Sequence, residues 1–400
     1  MTDVVILSAA RTPIGRYGGT LRDTHPAELG ATAARAAIKR AGLTPEDIDE
    51  VLIGHARQAG SGPNPGRQTA HRTGIPHRVP AQTINQACAS GMQTVALGAQ
   101  AILTGQSSIV LAGGVESMSR MPYFLDSEDA RWGHRMGNFA LVDAMYRDGF
   151  FCPLANLIMG QTAEVLARQY GITRDESDAY ALESQKRAEA AIAAGRFKDE
   201  SVPTPGRDAK GKPTQLEVDE HPRAGATIEG LRKLPLVFEP VDGHTGIITA
   251  GSSSGITDGG AAVVLASGAE AARRGVRPLA RIVGWATTGV DPRLMGIGPV
   301  PAMRKLFDRT GLAIADFDLV ELNEAFAPQV LAVLRDVPID RARLNVNGGA
   351  IALGHPIGCT GTRILVTLLY EMARRGAKRG LATLCVSGGL GMALAVEREA

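Results

Sequence analysis

The sequence predicts an α/β fold of two similar α/β units, the first carrying a long insertion. Three observations carry this. Residues Arg40–Val51 echo Arg309–Val320 at an offset of 269, with six of the twelve positions identical. Residues from Gly105 to Gly114 echo those from Gly380 to Gly389 at an offset of 275. Between the two echoes each half opens a helix with small residues, Cys88-Ala89-Ser90-Gly91 in one and Gly358-Cys359-Thr360-Gly361 in the other. Three landmarks kept in order indicate a repeated unit. At about 150 residues per domain, 400 residues give two or three domains. The expected division is 1–120 plus 245–270, an insertion at 121–244, and 275–400.

Element by element, the chain starts on a strand, Val4-Val5-Ile6-Leu7. In each echo a helix ends on glycine (Gly42, Gly311), turns, and feeds an apolar strand, Val51–Gly54 or Leu319–Leu322. Helices over 88–104 and 358–375 are apolar nearly all round, which predicts burial between the units. In the insertion an amphipathic helix is expected from Thr173 to Ala194, opened by the cap-like Thr173-Arg174-Asp175-Glu176. A polar, proline-rich passage follows from Pro203 to Pro222, the kind of segment that closes over ligands or makes subunit contacts. Strands at Ala261–Leu265 and Ala393–Val396 complete the two sheets.

Composition excludes several functions. With 43 basic and 41 acidic residues the net charge is +2, without the basic excess of a nucleic-acid or anionic-membrane binder. No run of 18 apolar residues exists to span a membrane. Strand signals start within three residues of Met1, and the end, Glu397-Arg398-Glu399-Ala400, is no peroxisomal address, so a cytoplasmic location is expected. The four cysteines, Cys88, Cys152, Cys359 and Cys385, lie far apart, which argues against a disulfide framework or a structural metal. Each is then a packed hydrophobe or an individual nucleophile. Glycine is in excess, 48 residues where about 28 would be usual.

Four places carry candidate chemistry. Cys88 stands where an extended segment turns into a buried helix, whose dipole and free amides favour a thiolate and an oxyanion; a structural cysteine is the alternative. His355 lies in Asn347-Gly348-Gly349-Ala350-Ile351-Ala352-Leu353-Gly354-His355-Pro356-Ile357-Gly358, where the glycines predict backbone passing close to a ligand. If the units pack about a pseudo-dyad, Cys88 and His355 meet at equivalent helix starts as a thiol–imidazole pair. Cys385 ends a strand before Ser387-Gly388-Gly389. Asn323, in Asn323-Glu324-Ala325-Phe326, follows a strand directly and reads either as a helix N-cap or as an amide that polarises a carbonyl or fixes a water.

Together and in this order these segments resemble the thiolases. The resemblance runs from Ala10-Arg11-Thr12-Pro13-Ile14-Gly15 through Gly113-Gly114-Val115-Glu116-Ser117-Met118 to Cys385-Val386-Ser387-Gly388-Gly389, essentially the whole chain. It implies a layered α-β-α-β-α sandwich and acyl transfer on coenzyme A thioesters, with coenzyme A as substrate and no permanently bound cofactor or metal. By the same resemblance Cys88 is the acyl-carrying nucleophile, activated by His355, and Cys385 exchanges a proton with C2 of acetyl-CoA. Asn323, through a water, and His355 stabilise the enolate, and the amides of Cys88 and Ser387 hold the oxyanion. Met159, Arg223, Ala250, Ser254 and Phe326 match substrate-channel positions; a solvated loop charge is the alternative for Arg223. A homodimer or homotetramer is implied.

The chain departs from the family pattern at three points. Ser387 stands where the family has glycine, keeping the amide but adding a hydroxyl. Ser252 replaces asparagine after Thr249-Ala250-Gly251. Ile158 stands where acetoacetyl-specific members carry histidine, which tilts the expectation toward a broader 3-oxoacyl-CoA range. Two other readings compete. One is a decarboxylating ketosynthase, which would need a second histidine near Asn323; the other is a catalytically silent acyl-CoA-binding subunit.

Overall fold

The computed structural model describes residues 3–398. In the first half β1 is Val4–Arg11, α1 Pro26–Arg40, β2 Glu50–His55, β3 Ala81–Ile84, α2 Ser90–Leu103, β4 Ile109–Ser117 and β5 Thr257–Ser267. Between β4 and β5 the insertion contributes α3, Arg174–Ala193, and a hairpin of Thr204–Arg207 with Pro213–Leu216. The second half contains β6 Ala280–Gly289, α4 Pro299–Thr310, β7 Leu319–Leu322, α5 Ala327–Asp336, α6 Ile357–Arg375, β8 Arg379–Val386 and β9 Leu390–Glu397.

The duplication is explicit in the pairing. In the first half β2 and β4 are parallel, β4 and β5 antiparallel, and β5 and β1 antiparallel. In the second half β7, β8, β9 and β6 repeat that pattern. The halves join edge to edge through a short antiparallel contact, Val5 opposite Arg281 and Ile6 opposite Ala280. The resulting strand order is β7-β8-β9-β6-β1-β5-β4-β2-β3. In this order β3 lacks a counterpart, and it forms the outer edge of the first half.

Alternation along the strands builds the layers. Val51 and Ile53 of β2 face outward onto Ala33, Ala37 and Ile38 of α1, whereas Leu52 faces inward with Val110 and Leu265. That inner face packs on Met92, Val95 and Ala99 of α2 and on Ile364, Leu365 and Leu368 of α6, which in turn cover Leu384 and Leu394 of the second sheet. On its far side the second sheet is covered by α4 and α5 through Met303, Leu306, Val330 and Val333. Helix, sheet, paired helices, sheet and helix make five layers.

The central helices touch at backbone distance. A Cβ on Gly361 would stand 2.5 Å from Met92 N, and one on Gly91 would stand 2.6 Å from Thr362 Oγ1. At Gly114 a Cβ would meet Gly358 O at 2.3 Å, so β4 and the start of α6 press together in the same way.

Two sequence expectations need correction here. The echo at an offset of 275 is not a structural equivalence: Glu50 pairs with Val110 and Leu319 with Gly380, which sets the true offset of β4 and β8 at 270. Gly113 and Gly114 lie inside β4, where packing forbids a side chain, whereas Gly388 and Gly389 form the β8–β9 turn with φ of +87° and +84°. The same residue pair arises from two unrelated demands. Helix α3 does form behind its Thr173–Glu176 capping box, but its buried residues mix small and polar side chains (Ser177, Asp178, Ala181, Ser184, Gln185, Ala188, Ala191) with the ring of Tyr180 rather than forming an apolar stripe.

The insertion is anchored by Arg11, the fully buried last residue of β1. Its guanidinium reaches Glu200 Oε1 at 2.6 Å and Asp219 Oδ1 at 2.7 Å, with the Phe197 ring 5.1 Å away.

Because backbone atoms leave no room for a side chain at the helix crossing, Gly361→Val is expected to lower unfolding free energy by about 1–3 kcal/mol. Urea denaturation reads this as a lower midpoint with an unchanged slope.

Candidate active site

The start of α2 is built around a strained turn. Ala87 has φ of +44°, unusual for a residue with a side chain. Asn85 holds the turn by accepting from Ala87 N at 3.0 Å and donating to Ala56 O at 3.1 Å. Ser90 closes it, with its hydroxyl accepting from Gln86 N at 2.9 Å and donating to Ala87 O at 2.6 Å. Cys88 therefore sits half-buried in a single 3-10 turn, two residues before α2 begins. Burial raises its thiol pKa, opposed first by the Arg57 charge and then by the N–H groups of Ser387 and of Cys88 itself.

His355 likewise stands two residues before α6. Its backbone N–H donates to Gly255 O at 3.0 Å, and Nδ1 lies 2.6 Å from Thr360 Oγ1. That hydroxyl donates its single hydrogen to Pro356 O at 3.0 Å, so it accepts from Nδ1–H, and the lone pair falls on Nε2. Nε2 is buried without a protein partner. Burial, reinforced by Arg363 and Arg57, pushes the imidazole pKa down to about 3, so the ring is neutral. The glycines around His355 do not mark a ligand, contrary to the sequence expectation. A Cβ on Gly349 would strike the Glu324 carboxylate, one on Gly354 would strike Thr257, and one on Gly358 would strike Ala56 N at 2.7 Å. They let protein approach protein.

Cys385 is the penultimate residue of β8, 1% exposed, and packs with Met295, Ala325, Met159 and Phe326. Burial raises its thiol pKa, and the Cys88 sulfur raises it further, so the two sulfurs share one electrostatic compartment. Ser387 follows β8, which puts its N–H on the Cys88 side.

Asn323 follows β7, but it caps no helix, because α5 starts only at Ala327 after an extended Phe326. The intervening residues are held by Ser254 N donating to Ala325 O and Ala327 N donating to Ser252 O, each at 2.9 Å. With its backbone fixed by Thr383 O, Asn323 buries both side-chain amide atoms without a protein partner. Neighbouring Glu324 is satisfied by Tyr180, Ser184, Asn345 and Ile351 N, tying α3 of the insertion beneath the site.

Above this cluster opens a cleft of about 700 Å³. Met159, Arg223, Ala250, Ser254 and Phe326 all line it, as do Ile158, Tyr146 and Phe150. Phe238 stacks edge-to-face on Phe326 at 6.0 Å and lies flat on Gly160. The cleft meets the buried groups through Met159 and Phe326, which touch the Cys385 cluster, and through Phe150 and Ile256, which pack near Cys88. Ser252 stays within its turn, accepting from Thr249 N at 3.0 Å. Arg57, Glu116 and Thr360 were not singled out from the sequence. Only Thr360, a hydroxyl one turn beyond His355, left a local signal.

Residues 4–269 match the family described as Thiolase, N-terminal domain, and residues 276–398 match Thiolase, C-terminal domain. Acetyl-CoA acetyltransferases from Cupriavidus necator and Pseudomonas aeruginosa are each 50% identical over 399 residues, covering 100% of both chains. Among solved structures, the Bacillus anthracis acetyl-CoA acetyltransferase superposes with a TM-score of 0.95 at 44% identity, covering 99% of each chain. Human mitochondrial 3-ketoacyl-CoA thiolase in complex with CoA gives 0.94 at 41% identity, covering 100% of this chain and 98% of that one. Two α/β halves of one topology, with two thiols and a neutral imidazole at their junction, define the class of enzyme. The chain belongs to the thiolase family.

The neutral state of His355 has a pH signature. Unfolded, the ring titrates near 6.5, whereas folded it titrates near about 3. Between these values the unfolded chain binds a proton that the folded chain does not. This contribution to stability is full above pH 6.5 and falls as pH drops toward 3. His355→Asn is expected to remove up to about 1.4 kcal/mol per pH unit of that slope, read by urea unfolding across the acid range.

Proposed function

We propose that this thiolase cleaves 3-oxoacyl-CoA with free coenzyme A into acetyl-CoA and a shortened acyl-CoA, or runs the reverse condensation. The observation that carries the reading is a pair of thiols in one compartment, Cys385 buried and Cys88 half-buried, with a neutral imidazole at the pseudo-equivalent helix start.

The chemistry divides among these groups in order. Cys88 gives its proton to His355 Nε2 and attacks the 3-oxo carbon, while the amides of Cys88 and Ser387 receive the oxyanion. The C2–C3 bond breaks, leaving the acyl group on Cys88 and an enolate on the acetyl thioester. Cys385, whose burial keeps it a thiol, protonates C2. In the other direction its thiolate is a strong enough base for a weakly acidic C–H. Asn323, through a bound water, and His355 steady the enolate. Coenzyme A then passes its thiol proton to Cys385 and takes the acyl group, and Cys88 recovers its proton from His355. A silent acyl-CoA-binding subunit would need none of this set. Asn323 stands where a ketosynthase would need its second histidine.

Finer features belong to the same reading. Met159, Ala250, Ser254 and Phe326 would line the pantetheine and acyl path, with Arg223 at its outer, nucleotide end. Ile158 and the aromatic rings make the acyl end apolar, which supports 3-oxoacyl chains beyond four carbons and a role in β-oxidation. The division into 1–120 plus 245–270, 121–244 and 275–400 is proposed on the repeated strand pattern. The free edge of β3 and the exposed Trp132 and Met136 of the insertion support a homodimer or homotetramer. No described helix is long and apolar enough to cross a membrane, and a cytoplasmic location is proposed.

Brief exposure to acetyl-CoA is expected to leave an acetyl group on Cys88, located by peptide mass spectrometry, and Cys88→Ser is expected to lose on the order of 10⁴-fold in kcat. Thiolysis continuing near the wild-type rate in that variant would overturn the reading. Ile158→His is expected to cut kcat/KM for a ten-carbon 3-oxoacyl-CoA relative to acetoacetyl-CoA by about tenfold, read from a rate series against chain length.

A further inference from the structure

The end of β2 is wedged between the starts of the two central helices. A Cβ on Gly54 would stand 2.4 Å from the Ser90 carbonyl carbon, and one on Gly358 would stand 2.7 Å from Ala56 N. The next residue along is Arg57, 7% exposed. Its backbone N–H donates to Glu116 Oε1 at 3.2 Å, its Nη2 donates to Gly149 O, and its Nε is buried with no partner. Among the described residues no carboxylate lies within ion-pair distance of this guanidinium.

A buried cation with no paired anion is costly, and such costs concentrate where the charge is used. Glu116, which accepts from the Arg57 backbone, is already engaged: it lies 3.0 Å from His55 Nε2 and accepts from Gly358 N at 2.9 Å. The charges acting on Cys88 are Arg57 after β2 and Glu116 on β4, with Cys385 on β8 coupled to the same sulfur and the neutral His355 ring at the start of α6. Those acting on His355 are Arg57 and, from α6, Arg363.

We propose that Arg57 is a positioning residue whose guanidinium, without a carboxylate partner, favours the charged form of the Cys88 sulfur when its proton leaves. Burial alone would leave both groups neutral, thiol beside imidazole, and the nucleophile weak. A fixed cation breaks that balance in one direction. It favours the thiolate that forms when His355 takes the proton, so the attacking sulfur is reached at lower cost. The proposal rests on the reading of Cys88 as nucleophile, and Arg57 acts through that sulfur rather than on substrate.

The test is the pH dependence of iodoacetamide alkylation at Cys88, resolved from the other cysteines by peptide mass spectrometry, in wild type, Arg57→Gln, Arg57→Met and Arg57→Lys. Either neutral variant that folds, as judged by circular dichroism, is expected to move the midpoint up by about one pH unit, a tenfold loss of thiolate at fixed pH. Arg57→Lys is expected to keep the midpoint close to wild type. In the neutral variant kcat falls while KM for coenzyme A holds. A midpoint unmoved in the neutral variants, or displaced as far by lysine as by glutamine, overturns the role of Arg57. Absence of an acetyl adduct on wild-type Cys88 would instead remove the reading of Cys88 itself.

Discussion

The contact between α2 and α6 is the constraint on which the rest depends. Two helices can cross at backbone distance only where side chains are missing, and Gly91 and Gly361 provide that gap from both partners. Gly114 and Gly358 repeat the device between β4 and the start of α6. Cys88 and His355 each ride two residues ahead of these helices, so the crossing sets where both are carried. The chemistry is thus held by packing density in the middle layer rather than by loops.

That placement also sets the electrostatics. Burial is the leading cause of every pKa displacement among the two sulfurs and the imidazole. Uncharged thiols and an uncharged ring are the state that burial favours. The insertion takes part without supplying the reacting atoms. Its Glu200 and Asp219 clamp Arg11, its Tyr180 and Ser184 satisfy Glu324 under Asn323, and its Met159 and Phe238 form cleft wall.

Much of this was legible in the sequence because it is local or repetitive. The Thr173 capping box, the glycine-ended helices and the 269-residue echo are short-range patterns with fixed physical meanings, and the structure has each of them. Legibility failed where one residue type answers several demands. Glycines beside His355 looked like room for a ligand and proved to be room for Glu324, Thr257 and Ala56. Asn323 read equally as a helix cap or as a working amide, and the cap reading fails because Ser252 and Ser254 hold the next residues before α5 begins. Arg57 left no pattern at all: an arginine before a polar loop reads as a solvated charge, and only the fold buries it.

The central claim is that two thiols at one junction divide the work, one carrying the acyl group and the other moving the C2 proton. Cys385→Ala incubated with acetyl-CoA in deuterium oxide separates those duties most directly. The account predicts that Cys88 still becomes acetylated while deuterium no longer enters the methyl group of acetyl-CoA. Exchange continuing at the wild-type rate in that variant would contradict it.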